Sequence, residues 1–137
     1  QSYLRYIISL QLINSAHDVS DGGIAIALAE SSVASKLGLH CDFPLINQRL
    51  DHILFAEGGG RILISLSPAK QEKLNSTLND FNIRSKTNIQ VLKIGTIINN
   101  NEFLITQNNR ELVKLPVTKM KNHFENSIQS KVEYQSA

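Results

Sequence analysis

A polar run that passes through two glycines into an apolar segment, residues 15–30 (SAHDVSDGGIAIALAE), constrains the fold of this 137-residue chain most strongly. The pair Gly22-Gly23 allows a tight bend, and the residues before it include Ser20 and Asp21, which are preferred helix caps. Alanine alternates with isoleucine and leucine after the bend, so the helix that follows can pack closely over much of its circumference. The stretch therefore predicts a turn that opens a buried helix, with Ser20 or Asp21 capping its first turn.

Two interpretations of this turn stay open on the residues alone. A glycine-rich turn at a helix N-terminus can receive an anion, because the backbone N–H groups and the helix dipole point the same way. Asp18 and Asp21 could also bind Mg²⁺ through nucleotide phosphates, since hard cations prefer carboxylate oxygens. The commoner outcome for such residues is a capped helix with a tight entry turn, in which the aspartates make only local hydrogen bonds.

A second glycine-rich segment, EGGGR at residues 57–61, runs into an apolar strand at residues 62–66. Three glycines without side chains predict a loop where another group can lie against the backbone. Glu57 and Arg61 bracket these glycines. On spacing alone, a loop closed by an ion pair between these two side chains is slightly favoured over a loop that faces a ligand.

The remaining pattern predicts an α/β fold in which helices cover a mixed β-sheet. Helices are expected at residues 1–14, 47–54, 68–81 and 117–128. Strands are expected at 39–43, 62–66, 89–98, 102–106 and 111–115, the last three as a β-meander with asparagine-rich turns. Residues 36–38 have the basic residue and the glycine typical of a helix exit, and Gly95 marks a kink or a close approach within its strand.

Composition argues against several functional classes. The formal charge of +2, without a basic tract interleaved with aromatic residues, argues against nucleic-acid binding. No run of about 18 apolar residues occurs and the N-terminus does not resemble a signal sequence, which predicts a cytoplasmic chain without membrane association. Four scattered histidines give no metal-ligand spacing, so no zinc site is expected. The single cysteine, Cys41, cannot form an internal disulfide and is expected in a half-buried strand rather than as a nucleophile.

The turn and the helix after it resemble the signature that opens the C-terminal domain of phosphoribosylformylglycinamidine synthase, a family within the aminoimidazole ribonucleotide synthetase superfamily. The matching residues are HDVSDGG at 17–23 and AIALAE at 25–30. The segment at 55–61 is similar to the family's Phe-x-Glu-Ser-x-x-Arg segment. Gly58 and Gly59 stand where the family's first, catalytic half has the Ser and Gln that contact substrate. This departure, together with the HDVSDGG form of the turn, implies that the chain resembles the second, degenerate half.

The resemblance implies an ATP-dependent, amidine-forming synthetase of purine biosynthesis. In the intact family enzyme, ATP activates the formamide oxygen of formylglycinamide ribonucleotide, and ammonia from a glutaminase displaces phosphate. For this chain the resemblance implies ATP and Mg²⁺ through the intact enzyme, and a role as pocket wall and domain interface. The implied partners are the other domains of the synthetase, a glutaminase subunit or domain, and the ribonucleotide substrate. The implied candidates for contact with substrate or nucleotide are Asp18, Ser20, Asp21, Gly22, Gly23, Glu57, Gly58, Gly59 and Arg61, with no catalytic or metal-ligating residue among them.

The expected organisation is one C-terminal synthetase domain over 1–137, a fragment of a longer protein, with a lead-in helix at 1–14 and a frayed tail at 129–137. The isolated chain is expected to be inactive as an enzyme. Two other functions stay open: a domain of another ATP-using synthetase or kinase of the superfamily, and a non-catalytic structural or interaction domain. The triple glycine favours the non-catalytic domain, whereas the intact Asp-Val-Ser-Asp-Gly-Gly turn opposes it.

Overall fold

The computed structural model describes residues 1–44 and 49–134, with the backbone alone described at 127–134. Along this part of the chain the helices are α1 (Ser2–Ser9), α2 (Gly23–Ser35), α3 (Leu50–Phe55), α4 (Gln71–Ser85) and α5 (Val117–Tyr134), with a 3-10 turn at Pro68–Lys70. The strands are β1 (Ser15–Asp18), β2 (Gly38–Phe43), β3 (Ile62–Ser65), β4 (Gly95–Ile98), β5 (Glu102–Gln107) and β6 (Arg110–Pro116). None of the described helices combines the length and the apolar character that crossing a bilayer requires.

The chain forms two compact units. The first unit combines residues 1–19 with 59–93, and the second combines 20–58 with the chain from residue 94. The chain therefore passes into the second unit at 19–20, returns at 58–59 and leaves the first unit again at 93–94. The first two crossings lie within the two glycine-containing stretches, so each stretch contributes residues to both units.

In the first unit, β1 and β3 form a two-stranded antiparallel sheet in which Asp18 lies opposite Ile62. Leucine, isoleucine and tyrosine side chains from α1, the segment after it, α4 and the sheet make the core of this unit. It contains Tyr3, Ile7, Leu12 and Leu74, with Ile64 of β3 packed against them. The Tyr3 hydroxyl donates a hydrogen bond of 3.2 Å to the Leu74 carbonyl and so joins α1 to α4.

In the second unit, four strands form a mixed sheet in the order β4-β2-β5-β6. Strand β2 runs parallel to β5, and the other two neighbouring pairs are antiparallel. Alternate residues of the two central strands bury one face of the sheet. These buried residues are Leu39, Cys41 and Phe43 of β2 with Phe103 and Ile105 of β5. Helix α2 contacts β2, α3 and α5, so its entry turn is held within this unit.

The predicted α/β class with a mixed sheet is confirmed, but the strand predicted over 89–98 is wrong for residues 89–94. Strand β4 comprises only Gly95–Ile98. At Ile89, the first residue of the predicted strand, the Asn82 side chain accounts for the difference, because its Nδ2 donates to the Ile89 carbonyl at 2.8 Å and its Oδ1 accepts the Ile89 N–H at 3.0 Å. These bonds satisfy backbone groups that a strand partner would otherwise take. The predicted close approach at Gly95 is confirmed, since a Cβ there would overlap the His40 carbonyl oxygen.

The predicted β-meander is also wrong. Strand β2 lies between β4 and β5, so these two sequential strands are not neighbours in the sheet. The hairpin of β5 and β6 is present, with a bulge between Ile105 and Thr106. The meander failed as a prediction because a strand from earlier in the chain can pair wherever its apolar face is buried, and adjacency along the sequence does not decide this.

Several helix bounds differ from those predicted. Helix α1 ends at Ser9 rather than at residue 14, and Gln11 beyond it has a φ of 52°. Helix α3 begins at Leu50, while residues 47–48 of the predicted helix lie outside the described residues. Helix α5 continues through residues 129–134, where a frayed tail was expected, because no glycine or proline interrupts that stretch. Residues 135–137 lie outside the described residues.

Candidate functional site

Backbone pairing in the first unit holds Asp18 and Arg61 near the ends of their strands. Asp18 is the last residue of β1 and is exposed, and its carbonyl accepts a bond of 2.7 Å from His17 Nδ1. The N–H of Val19, a residue only 3% exposed, donates to the Arg61 carbonyl at 3.1 Å. The buried Val19 therefore anchors the first unit's part of both glycine-containing stretches.

The entry turn of α2 lies in the second unit and is built on two left-handed glycines. Gly22 is the N-cap with φ 75°, and Gly23 follows with φ 68°. The Gly23 N–H donates to the Ser20 carbonyl at 3.1 Å. The prediction that Ser20 or Asp21 caps α2 through its side chain is wrong, because the cap position belongs to Gly22 and no side chain of the turn caps the helix.

The Gly22 N–H instead donates to Glu57 Oε1 at 2.9 Å. Glu57 follows the end of α3 in the same unit and comes to the turn from 35 residues away. A carboxylate at a helix N-terminus meets both a free N–H group and the positive end of the helix dipole. No local sequence pattern could identify this pair, since the two residues lie 35 positions apart. The ion pair expected between Glu57 and Arg61 stays a prediction.

Steric contacts explain why both residues of the turn are glycines. A Cβ on Gly23 would lie 2.7 Å from the Leu54 carbonyl oxygen and 2.8 Å from Phe55 Cα, both backbone atoms of α3. A Cβ on Gly22 would lie 2.5 Å from Ile26 Cγ1 within α2. The start of α2 therefore packs directly on the end of α3, with the glycines at the contact.

The glycines of the loop after Glu57 have the opposite surroundings. No atom lies within 4 Å of the position that a Cβ would take on Gly58, Gly59 or Gly60. Of these three, Gly60 has a positive φ, of 90°. The folded chain therefore has no steric need for glycine at 58 and 59. Without side chains, the loop leaves its backbone accessible to a ligand or another protein surface.

The charges at the start of α2 decide which ligands this end of the helix could accept. Asp21 and Glu57 are both exposed, and the Gly22 N–H is already taken by Glu57. A bare phosphate would meet two carboxylates here, so a phosphate group would need a bound cation or a displaced Glu57. Among the described residues, no group of three or more His, Cys, Asp or Glu side chains is placed to hold a metal ion.

The polar face of the second unit's sheet carries an ion-pair cluster that the sequence did not reveal. Glu102 accepts from His40 Nε2 at 2.7 Å and from Lys114 Nζ at 3.1 Å. The hydrogen bond with Lys114 is the largest cause of the lowered pKa of Glu102, and the hydrogen bond with His40 is the next. Glu102 in turn raises the pKa of Lys114. On the opposite, buried face, Cys41 has its pKa raised to about 12 by burial, which agrees with the expectation that this thiol is not a nucleophile.

Comparison with known proteins gives one family and a consistent set of relatives. The family model "AIR synthase related protein, C-terminal domain" matches residues 3–106. The "Phosphoribosylformylglycinamidine synthase subunit PurL" of Prochlorococcus marinus strain SARG is 44% identical over 132 residues, which is 96% of this chain and 17% of that protein. The subunit of the same name from strain MIT 9313 is 39% identical over 128 residues, 93% of this chain and 16% of that protein. The chain thus spans about one sixth of these relatives.

Solved structures share the fold at lower identity. "T. maritima PurL complexed with ATP" superimposes with a TM-score of 0.74 at 16% identity, covering 88% of this chain and 20% of that chain. "T. maritima PurL complexed with FGAR" gives a TM-score of 0.73 at 18% identity, with the same two coverages. At this identity the likeness establishes the fold alone.

Proposed function

The chain belongs to the AIR synthase related protein, C-terminal domain family, and on that premise we propose that it acts as a C-terminal domain of a phosphoribosylformylglycinamidine synthase. The proposed parent reaction converts formylglycinamide ribonucleotide, ATP and glutamine-derived ammonia to formylglycinamidine ribonucleotide in purine biosynthesis. The observation that carries the proposal is the similarity to PurL subunits over nearly the whole chain. In the proposal, residues 1–137 are one domain of a longer cytoplasmic protein.

The role proposed for this chain is to form a wall of the pocket and an interface with the other domains. ATP and Mg²⁺ would be held mainly by those domains, and a glutaminase subunit or domain would supply ammonia. Phosphoryl transfer of this kind depends on positioned donors around the phosphates rather than on a nucleophile from the protein. The open backbone at Gly58 and Gly59 suits a close approach by ligand or by a neighbouring domain, and it offers no side chain for chemistry.

A chimera tests the proposed parent reaction. The segment of the strain SARG PurL that aligns with this chain would be replaced by this chain, and formylglycinamidine ribonucleotide formation would be measured with ammonia as the nitrogen source. We expect activity comparable with that of the unaltered PurL. A chimera that purifies as a folded protein and binds ATP but forms no product would contradict the proposal, and would favour a domain of another ATP-using synthetase.

An amide NMR titration tests the proposed pocket wall separately. Mg²⁺-ADP and then formylglycinamide ribonucleotide would be added to the chain, with Gly22, Gly23 and the glycines at 58–60 followed by their backbone resonances. Saturable shifts confined to these glycines are expected. A well-dispersed spectrum that does not change when either ligand is added would refute ligand contact by this chain. The interface role would then remain, and the open triple glycine also suits that role.

A further inference from the structure

We propose that Glu57 is a positioning residue, whose carboxylate sets the geometry of the α2 entry turn by capping the helix from the end of α3. The bond from the Gly22 N–H to Glu57 Oε1 is 2.9 Å, and both residues belong to the second unit. Neither Ser20 nor Asp21 supplies a side-chain cap. The other glycine of the turn, Gly23, donates its N–H locally to the Ser20 carbonyl, so the polar link from the turn to α3 runs through Gly22 and Glu57.

Two contacts of different kinds dock the start of α2 onto the end of α3. The first is steric, with Gly23 lying against the backbone of Leu54 and Phe55. The second is polar, from Gly22 to Glu57, two residues beyond the end of α3. The steric contact prevents the helices from coming closer, whereas the carboxylate holds the turn in place and interacts favourably with the helix dipole.

The body of α2 does not depend on this carboxylate. Ala25, Ala27, Leu28 and Ala29 are buried and keep the helix in the core of the unit. Loss of the Glu57 carboxylate should therefore free the turn at 20–23 without unfolding α2, because most helix stability in proteins comes from packing. A ligand that uses the turn's N–H groups would then meet a less ordered site, a consequence that rests on the proposed function.

A pH titration of the Gly22 amide proton tests the cap directly on the whole chain. An amide proton bonded to a carboxylate resonates downfield and moves when that carboxylate is protonated. In the native chain we expect the chemical shift of the Gly22 amide proton to change with pH as a carboxylate is protonated. In Glu57→Gln this pH-dependent change should be absent. The other titratable groups of the turn and α3 are Asp21, Asp51 and His52; Asp51 is already paired with Arg49, which lowers its pKa.

The matched control is Asp21→Asn, which removes the other carboxylate of the turn. The pH-dependent shift of the Gly22 amide proton should be retained in this variant. A titration that persists in Glu57→Gln, or disappears in Asp21→Asn, would overturn the proposal. Because both substitutions are isosteric at exposed positions, neither is expected to prevent folding.

Hydrogen exchange and ligand titration separate positioning from direct contact. In Glu57→Ala we expect exchange at Gly22 to accelerate roughly tenfold, as for the loss of one charge-assisted hydrogen bond, with smaller acceleration in Glu57→Gln because its amide oxygen still accepts. Equal exchange rates in the native chain and Glu57→Ala would refute the cap. The native chain could show no chemical-shift change with Mg²⁺-ADP while the Gly22 amide proton still shows the pH dependence that Glu57→Gln removes. That result would refute only the ligand-binding part of the proposed function.

Discussion

The contrast between Gly23 and Gly58 gives the sharpest test of how the entry turn is built. Both glycines lie in the second unit, but only Gly23 has a positive φ, of 68°, and only Gly23 abuts other backbone. In Gly23→Ala the left-handed conformation costs about 1–2 kcal/mol. The overlap with the Leu54 carbonyl and Phe55 Cα adds about 1–3 kcal/mol, so we expect a total destabilisation of about 2–5 kcal/mol.

Gly58→Ala should have the opposite sign. Its added methyl meets no atom within 4 Å, and the backbone there is not left-handed. The substitution restricts the unfolded chain and should stabilise the fold by about 0.4–1 kcal/mol. The two substitutions add the same atoms, so a difference between them reports the surroundings of the backbone rather than the chemistry of alanine.

Urea unfolding at neutral pH, followed by far-ultraviolet circular dichroism, measures both effects. Amide exchange of buried α2 residues such as Leu28 would locate the change in the second unit. An unfolding midpoint for Gly23→Ala equal to that of the native chain would refute the argument that α2 must approach α3 through a glycine. A destabilised Gly58→Ala would refute the argument that the loop is sterically open.

Two further predictions concern the sheet of the second unit. Lys114 and His40 lower the pKa of Glu102 in the folded chain. The stabilisation from this carboxylate is therefore fully present above the unfolded-state pKa of about 4.3, and it is lost as the pH falls through the lower folded-state pKa. Glu102→Gln should therefore lower the melting temperature at neutral pH, with the difference closing on acidification; a difference that is constant with pH would contradict this. Burial raises the pKa of Cys41 to about 12, so a thiol-disulfide reagent at mildly alkaline pH should react much more slowly with the native chain than with the urea-unfolded chain, and equal rates would contradict it.

The sequence alone located most of the regular elements because their signals are local. An uninterrupted apolar run after Gly22-Gly23 predicted α2, and the αL residue that ends this helix, Lys36, lies in the predicted exit. Alternation predicted β2, and Pro44 marks its end. Such patterns depend on residues a few positions apart, which share one face of a helix or strand whatever the rest of the chain does.

Sequence-based predictions were wrong where other partners compete with a strand for the same backbone groups, or where a strand can pair with more than one neighbour. Residues 89–94 have the composition of a strand, yet Asn82 takes both backbone groups of Ile89. The sheet order also departs from chain order, because β2 and β5 pair in parallel across a long sequence separation. Burial of a common apolar face decides such pairings, and that face exists only once the helices and strands have assembled.

The candidate site divides along the same line. The sequence determined that the chain would turn on Gly22 and Gly23 and that the loop at 58–60 would lack side chains, because both follow from the properties of glycine itself. Only the tertiary structure decided that Gly23 lies against the backbone of α3 and that the Gly22 N–H is bonded by Glu57 rather than by a side chain of the turn. The physical reason is that a hydrogen bond depends on distance in space, and residues 35 positions apart come together only through the packing of α2 on α3.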